Sequence, residues 1–217
     1  MKKIITKSLQ NILSKDVILF VVKMGFIALA ITTLITWNMW DTLNSIIVFS
    51  LSWIPWEWLQ TSVTAVATFL FAYMLFIIIV SLLTSLYSEK LLIALAKKHY
   101  PDVQVLGSAN ISTSLILTLK ASIVFLLLFM VTLPLLFIPL FGQLVLLYLW
   151  SILLKEPTLY DVGALFINDK KILKEKKNNT RLLAMIAALF NYVPLVNIFA
   201  PVFAQILFLH HILGERK

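Results

Sequence analysis

One lysine stands where an ionisable group is costly and often functional: Lys23 lies inside the otherwise uncharged apolar run 17–37. Its ammonium either meets an anion there or snorkels back to the headgroups, since it lies near the start of the run. Gln143, Asn191 and Asn197 fall beside the prolines that interrupt two later apolar stretches. They either line a polar path or cap the backbone groups that such interruptions set free. Glu89 directly follows the longest apolar run. It is placed to pair with Lys90 or a basic connection, or to act in gating. Arg181 opens the last apolar stretch, at a cytoplasmic entrance or simply as a topology-setting residue.

Other chemistries are poorly served. His210 and His211 are adjacent, so on a helix they point about 100° apart, which suits an interfacial pair better than a two-ligand metal site. The chain has no cysteine, and no glycine loop able to cradle phosphates, so no ATP-driven pump is expected. Catalysis needs positioned His, Asp or Glu groups, and the apolar stretches contain neither Asp nor Glu. The expectation is a protein that is not an enzyme and that uses no cofactor or metal.

The elements that carry these residues belong to a membrane protein. Of 217 residues, 61% are hydrophobic and 13% charged, against about 45–50% and 25% in soluble domains. Mean hydropathy is +0.97. Four stretches can enter a bilayer, at 17–37, 59–86, 121–154 and 182–213. Five of the six tryptophans, Trp37, Trp40, Trp53, Trp56 and Trp58, gather around the connection 38–58, which contains no Lys or Arg. That is the composition of an aromatic interfacial belt. Every basic residue except Lys23 lies in the other connections or the termini. The positive-inside rule therefore puts both termini and the basic loop 155–181 in the cytoplasm and the Trp-rich connection outside. The net charge of +8 is a topology signal and does not point to nucleic acid. At the N-terminus, Lys23 and Asp16 argue against a cleaved signal peptide. Residues 1–14, with Ile5, Leu9, Ile12 and Leu13 on one face, are predicted to form an interfacial helix.

Stretches 121–154 and 182–213 are each flanked by basic residues on both sides and broken in the middle. The breaks are Pro134, Pro139 and Gly142 in one, and Asn191, Pro194, Asn197 and Pro201 in the other. Each must cross an even number of times, yet two full spans and a turn need about 40 residues. Helical hairpins that penetrate only partly are predicted, most firmly for 182–213. For 121–154, residues 111–119 are able to lengthen the first arm. Each second arm would begin at depth, after Pro139–Gly142 and at Pro201, presenting helix N-termini suited to anions. Half-crossing hairpins cover the bilayer incompletely, so a homo-oligomer is expected.

Three segments resemble the CysZ sulfate permeases. Tyr192-Val193-Pro194-Leu195-Val196-Asn197-Ile198-Phe199-Ala200-Pro201-Val202 is similar to the family's "PLLN…PV" segment. Ile138-Pro139-Leu140-Phe141-Gly142-Gln143 resembles its "IPGIGQ" turn, and Leu86-Tyr87-Ser88-Glu89-Lys90-Leu91 its "LLAEQL". Their order and spacing agree from about residue 10 to the C-terminus. The resemblance implies an all-α integral membrane protein with two long transmembrane helices and two partly penetrating hairpins. It also implies a homo-oligomer of the inner membrane that passes sulfate or a related oxyanion for sulfur assimilation and cysteine biosynthesis. The family's sulfate-binding Arg pair falls here on Ser14 and Lys15, with Asp16 beside them. One cation and one hydroxyl stand in place of two guanidiniums, so sulfate binding there should be weaker or the substrate different. Ser14 and Lys15 join Lys23 as candidate anion contacts. The partners expected are a small oxyanion, membrane lipid and further copies of the chain, with no nucleic acid. The rival reading is a non-transporting scaffold or assembly factor of the same fold.

Overall fold

The computed structural model describes residues 2–50, 52, 55–132, 135, 138–168 and 180–214. Pro134, Trp53, the basic segment 169–179, and Arg216 and Lys217 lie outside them. Among the described residues every regular element is helical. In chain order these are α1 (Lys2–Ile12), α2 (Lys15–Asn38), α3 (Trp40–Ser50), α4 (Glu57–Tyr87), α5 (Glu89–His99), α6 (Ile111–Thr132), α7 (Phe141–Phe166), α8 (Thr180–Ala188) and α9 (Ala200–Gly214). Two 3₁₀ turns, Leu189–Tyr192 and Val196–Phe199, join α8 to α9.

The apolar runs become the long helices because nothing in them breaks the backbone ladder. At 1.5 Å per residue, the 24 residues of α2 reach about 36 Å and the 31 of α4 about 46 Å, enough to cross a hydrocarbon core of about 30 Å. Large apolar side chains such as Leu19, Phe26, Leu29 and Leu34 stay exposed on α2, as a lipid-facing helix requires.

The chain divides into two compact units. In the first, Met1–Val21 with Thr84–Lys217, α9 is the centre: every residue from Ala200 to Leu213 is buried. A helix apolar on all sides has no solvent face and must be surrounded. Here α1, α5, α7 and α8 pack on it, and α6 packs on α7. In the second unit, Val22–Leu83, α3 lies between the two long helices in sequence. The described tryptophans of this segment, Trp37, Trp40, Trp56 and Trp58, are all exposed.

Four expectations need correction. The connection 38–58 is not simply a loop, because Trp40–Ser50 is helical. The segment 155–181 is not a solvated loop throughout: α7 runs on through Pro157 to Phe166, burying Thr158, Asp161 and Val162. The only charge from Pro157 to Ile167 is Asp161, so that run has the apolar weight to fold inward. The 121–154 hairpin has longer arms, since α6 starts at Ile111 and so includes Lys120, which is exposed. Helix α1 docks through Ser8, Asn11 and Ile12, with Ile4 and Ile5 packed beside them, while Leu9 and Leu13 remain exposed. A polar partner inside the protein, His210, decides that face over the apolar stripe.

Candidate functional site

Asn11 holds the α1–α2 junction to the core. Its Nδ2 amide donates to His210 Nε2 at 2.7 Å, and its Oδ1 accepts from His99 Nε2 at 2.9 Å. His210 can accept at Nε2 only if its proton is on Nδ1, which then donates to the Tyr100 hydroxyl at 2.9 Å. The tautomer follows from this network. Lys7 lies 5.6 Å from the centre of the Tyr100 ring. Thus α1, α5 and α9 are tied at one polar point, and His210 is fully buried. This corrects the interfacial reading of the His210–His211 pair, as both are buried.

Three residues after Asn11, Ser14 links α1 to α2. Its N–H donates to the Asn11 carbonyl at 3.0 Å, and its carbonyl accepts the Ile18 N–H at 3.0 Å. It therefore stands as the N-cap of α2, yet its hydroxyl is buried and makes no hydrogen bond. The N–H groups of Lys15, Asp16 and Val17 have no acceptor within the helix. The Lys15 and Asp16 side chains are exposed. An unpartnered hydroxyl and the first-turn N–H groups lie at this helix start, with Lys15 and Asp16 next to them in sequence. Lys23 is exposed on α2 and belongs to the second unit.

The two hairpin tips share one design. Ile138-Pro139-Leu140-Phe141-Gly142 and Val193-Pro194-Leu195-Val196-Asn197 each place a leucine at positive φ, 63° at Leu140 and 70° at Leu195. In each, the fifth residue's N–H returns to the first residue's carbonyl: Gly142 to Ile138 at 2.8 Å, Asn197 to Val193 at 3.1 Å. Phe141 N–H also turns back, to the Pro139 carbonyl at 2.7 Å, a γ-turn at Leu140. The tips meet where the Tyr192 hydroxyl donates to the Gln143 carbonyl. Tyr192 also packs edge-on against Trp150, with ring centres 5.0 Å apart.

The second arms start where the sequence placed them, at Phe141 and at Ala200–Pro201. The first two N–H positions of each arm are already spent, however. Phe141 and Gly142 spend their N–H groups within the tip, Ala200 donates to the Asn197 carbonyl, and Pro201 has none. Leu140 and Leu195 present apolar, exposed surface there instead. Gln143 contributes a carbonyl while its side chain is exposed; Asn191 is half-buried and Asn197 buried.

Arg181 is half-buried between α8 and α7. Its guanidinium sits 4.8 Å from the Tyr148 ring centre and donates to Ser151 Oγ at 3.2 Å, fastening α8 to α7. Glu89 is half-buried and makes no ion pair with Lys90 among the described residues. The structure brings together Gln143 and the Asn191 turn at the tips. Asn11, His99, Tyr100 and Asp161 had escaped the sequence reading. The uninterrupted apolar run around Asp161 was the available signal for that residue.

No curated protein and no solved structure matches the chain. A family model, described as sulfate transporter CysZ/etoposide-induced protein 2.4, matches residues 4–201. That match spans the junction, both long helices and both hairpin tips, and so the chain belongs to the CysZ/etoposide-induced 2.4 family of membrane proteins.

Proposed function

We propose that this protein is a permease for sulfate or a closely related oxyanion, working without nucleotide hydrolysis. The observation that carries this reading within the family is the buried, unpartnered hydroxyl of Ser14 at the N-cap of α2. A hydroxyl donor, the first-turn N–H groups and the positive helix end form an oxyanion cradle. Lys15 adds a cation beside it as a point charge. Asp16 opposes, which favours weak, quickly released binding, as permeation requires.

The apolar helices suit an inner-membrane protein, with both termini on the basic, cytoplasmic side. The hairpins penetrate only partly. Helix α8, at nine residues, reaches about 14 Å, under half of the hydrocarbon core. If Lys120 snorkels to the cytoplasmic headgroups, the part of α6 beyond it is equally short. Exposed Leu140 and Leu195 then seat the tips in lipid, and neighbouring copies of the chain complete the barrier.

Sulfate binding to the purified protein, titrated by intrinsic tryptophan fluorescence against chloride at matched ionic strength, tests the site. Wild type should bind sulfate and selenate, with Ser14→Ala and Lys15→Ala each weakening binding about tenfold, the worth of one charge-assisted bond. Sulfate binding unchanged in both variants would remove the anion site from this junction. No binding by the folded wild type would favour the scaffold reading.

A further inference from the structure

We propose that Asp161 and the serines around it form a binding site for one alkali-metal cation of sodium's class. Asp161 is 6% exposed, in the part of α7 beyond Pro157. Ser85 of α4 donates to one of its carboxylate oxygens at 2.5 Å, and Ser114 of α6 to the other at 2.7 Å. Both hydroxyls thus lie within close hydrogen-bond range of the carboxylate. No Lys or Arg among the described residues pairs with it. Burial pushes the Asp161 carboxyl above the usual range, and the two serine hydroxyls oppose that shift. A buried negative charge with hydroxyl donors but no cation is incomplete.

A cavity of about 220 Å³ beside it supplies the room. Asp161, Ser85 and Ser114 line it together with Ser88, Ser108 and Glu89. Ser88 is the second, independent sign. It is 2% exposed, lines the cavity, and makes no side-chain hydrogen bond to the helix it caps. Four serine hydroxyls and a carboxylate are hard oxygen ligands, the set that alkali cations take. A single buried carboxylate matches one positive charge. Among the described residues no group of three acidic or histidine side chains is placed to hold a divalent or transition metal.

The backbone agrees. The path from α4 to α5 bends by 58° at Ser88, ending α4 at a cavity that its last-turn residues Ser85 and Leu86 line. The C-terminal end of a broken helix carries free carbonyls and partial negative charge, and cation sites in transporters are built on such ends. Glu89 offsets the opposite dipole of the α5 N-terminus. The charged groups facing the cavity are thus Asp161 from α7 and Glu89 from α5, with serines alone from α4, α6 and the connection between α5 and α6.

This site does not depend on the anion reading, so the test omits sulfate. Thermal unfolding of the detergent-purified full chain is followed by tryptophan fluorescence in sodium, potassium or choline chloride at equal concentration and slightly alkaline pH. Sodium or potassium should raise the melting temperature above that in choline, in a saturable manner. Asp161→Asn should abolish the rise, and Ser114→Ala or Ser88→Ala should weaken apparent cation affinity roughly 10–100-fold, as loss of a supporting group does. The wild-type comparison needs no variant to fold. Equal melting in all three salts would overturn the proposal, as would an alkali-dependent rise that survives in Asp161→Asn. Stabilisation by mild acid with no alkali effect would also overturn it, assigning Asp161 a proton instead.

Discussion

Asn11→Ala is the sharpest test of how the N-terminal helix is held. The substitution deletes the 2.7 Å contact to His210 and the 2.9 Å contact to His99. Each hydrogen bond contributes about 1 kcal/mol, and the Nε2 left unpaired on fully buried His210 adds about 1–3 kcal/mol more. The total is about 3–5 kcal/mol. For a chain of this size that lowers the melting temperature by roughly 6–20 °C. The companion variant His99→Ala removes one bond and leaves the Oδ1 of buried Asn11 unpaired, and should cost about 2–4 kcal/mol. The assay is thermal unfolding in detergent, followed by circular dichroism, with a double-mutant cycle between Asn11 and His210. A coupling energy of about 1 kcal/mol or more is expected for side chains in direct contact. A shift of Asn11→Ala below about 1 °C, or additive losses in the cycle, would mean that α1 is not docked through this network.

At the hairpin tips, Leu140→Gly and Leu195→Gly relieve the positive-φ strain of about 1–2 kcal/mol at an entropic cost of about half that. Both should melt no lower than the parent and above Leu→Ala at the same positions; the reverse order would contradict the tip geometry. In sodium-free buffer the raised pKa of Asp161 means the folded state holds a proton that the unfolded chain has already lost. That stability is full below the ordinary carboxylate pKa and falls as pH rises through the folded value. Wild type should therefore melt higher in mild acid than Asp161→Asn predicts by comparison, and a flat profile in both would refute the shift. Ser14→Arg adds a guanidinium fork at the N-cap of α2 and should tighten sulfate binding about tenfold in a fluorescence titration, whereas unchanged affinity would detach Ser14 from the anion.

What was legible in the sequence followed from local pattern. Apolar runs of this length, broken only by Lys23 in the first, favour long helices, so α2 and α4 were evident. Proline, glycine and asparagine inside two further runs marked both hairpin tips and the starts of their second arms. What was not legible depends on partners far away along the chain. Asn11 meets His210 across 199 residues, and Ser85 meets Asp161 across 76. No periodicity reports such pairs, so the apolar stripe of Leu9 and Leu13 misplaced the docked face of α1. Asp161 falls within 155–181, which its charged residues mark as a cytoplasmic loop, although apolar residues flank Asp161 on both sides. The positive φ of Leu140 and Leu195 was invisible, since leucine is a poor marker for that region.

Labelled sulfate uptake into proteoliposomes, with thiosulfate, selenate and chloride as competitors, measures the central claim directly. Saturable uptake that the oxyanions block and chloride does not, reduced in Lys15→Ala, is the predicted result. Flux no greater than that of empty liposomes, from well-folded protein, would contradict it.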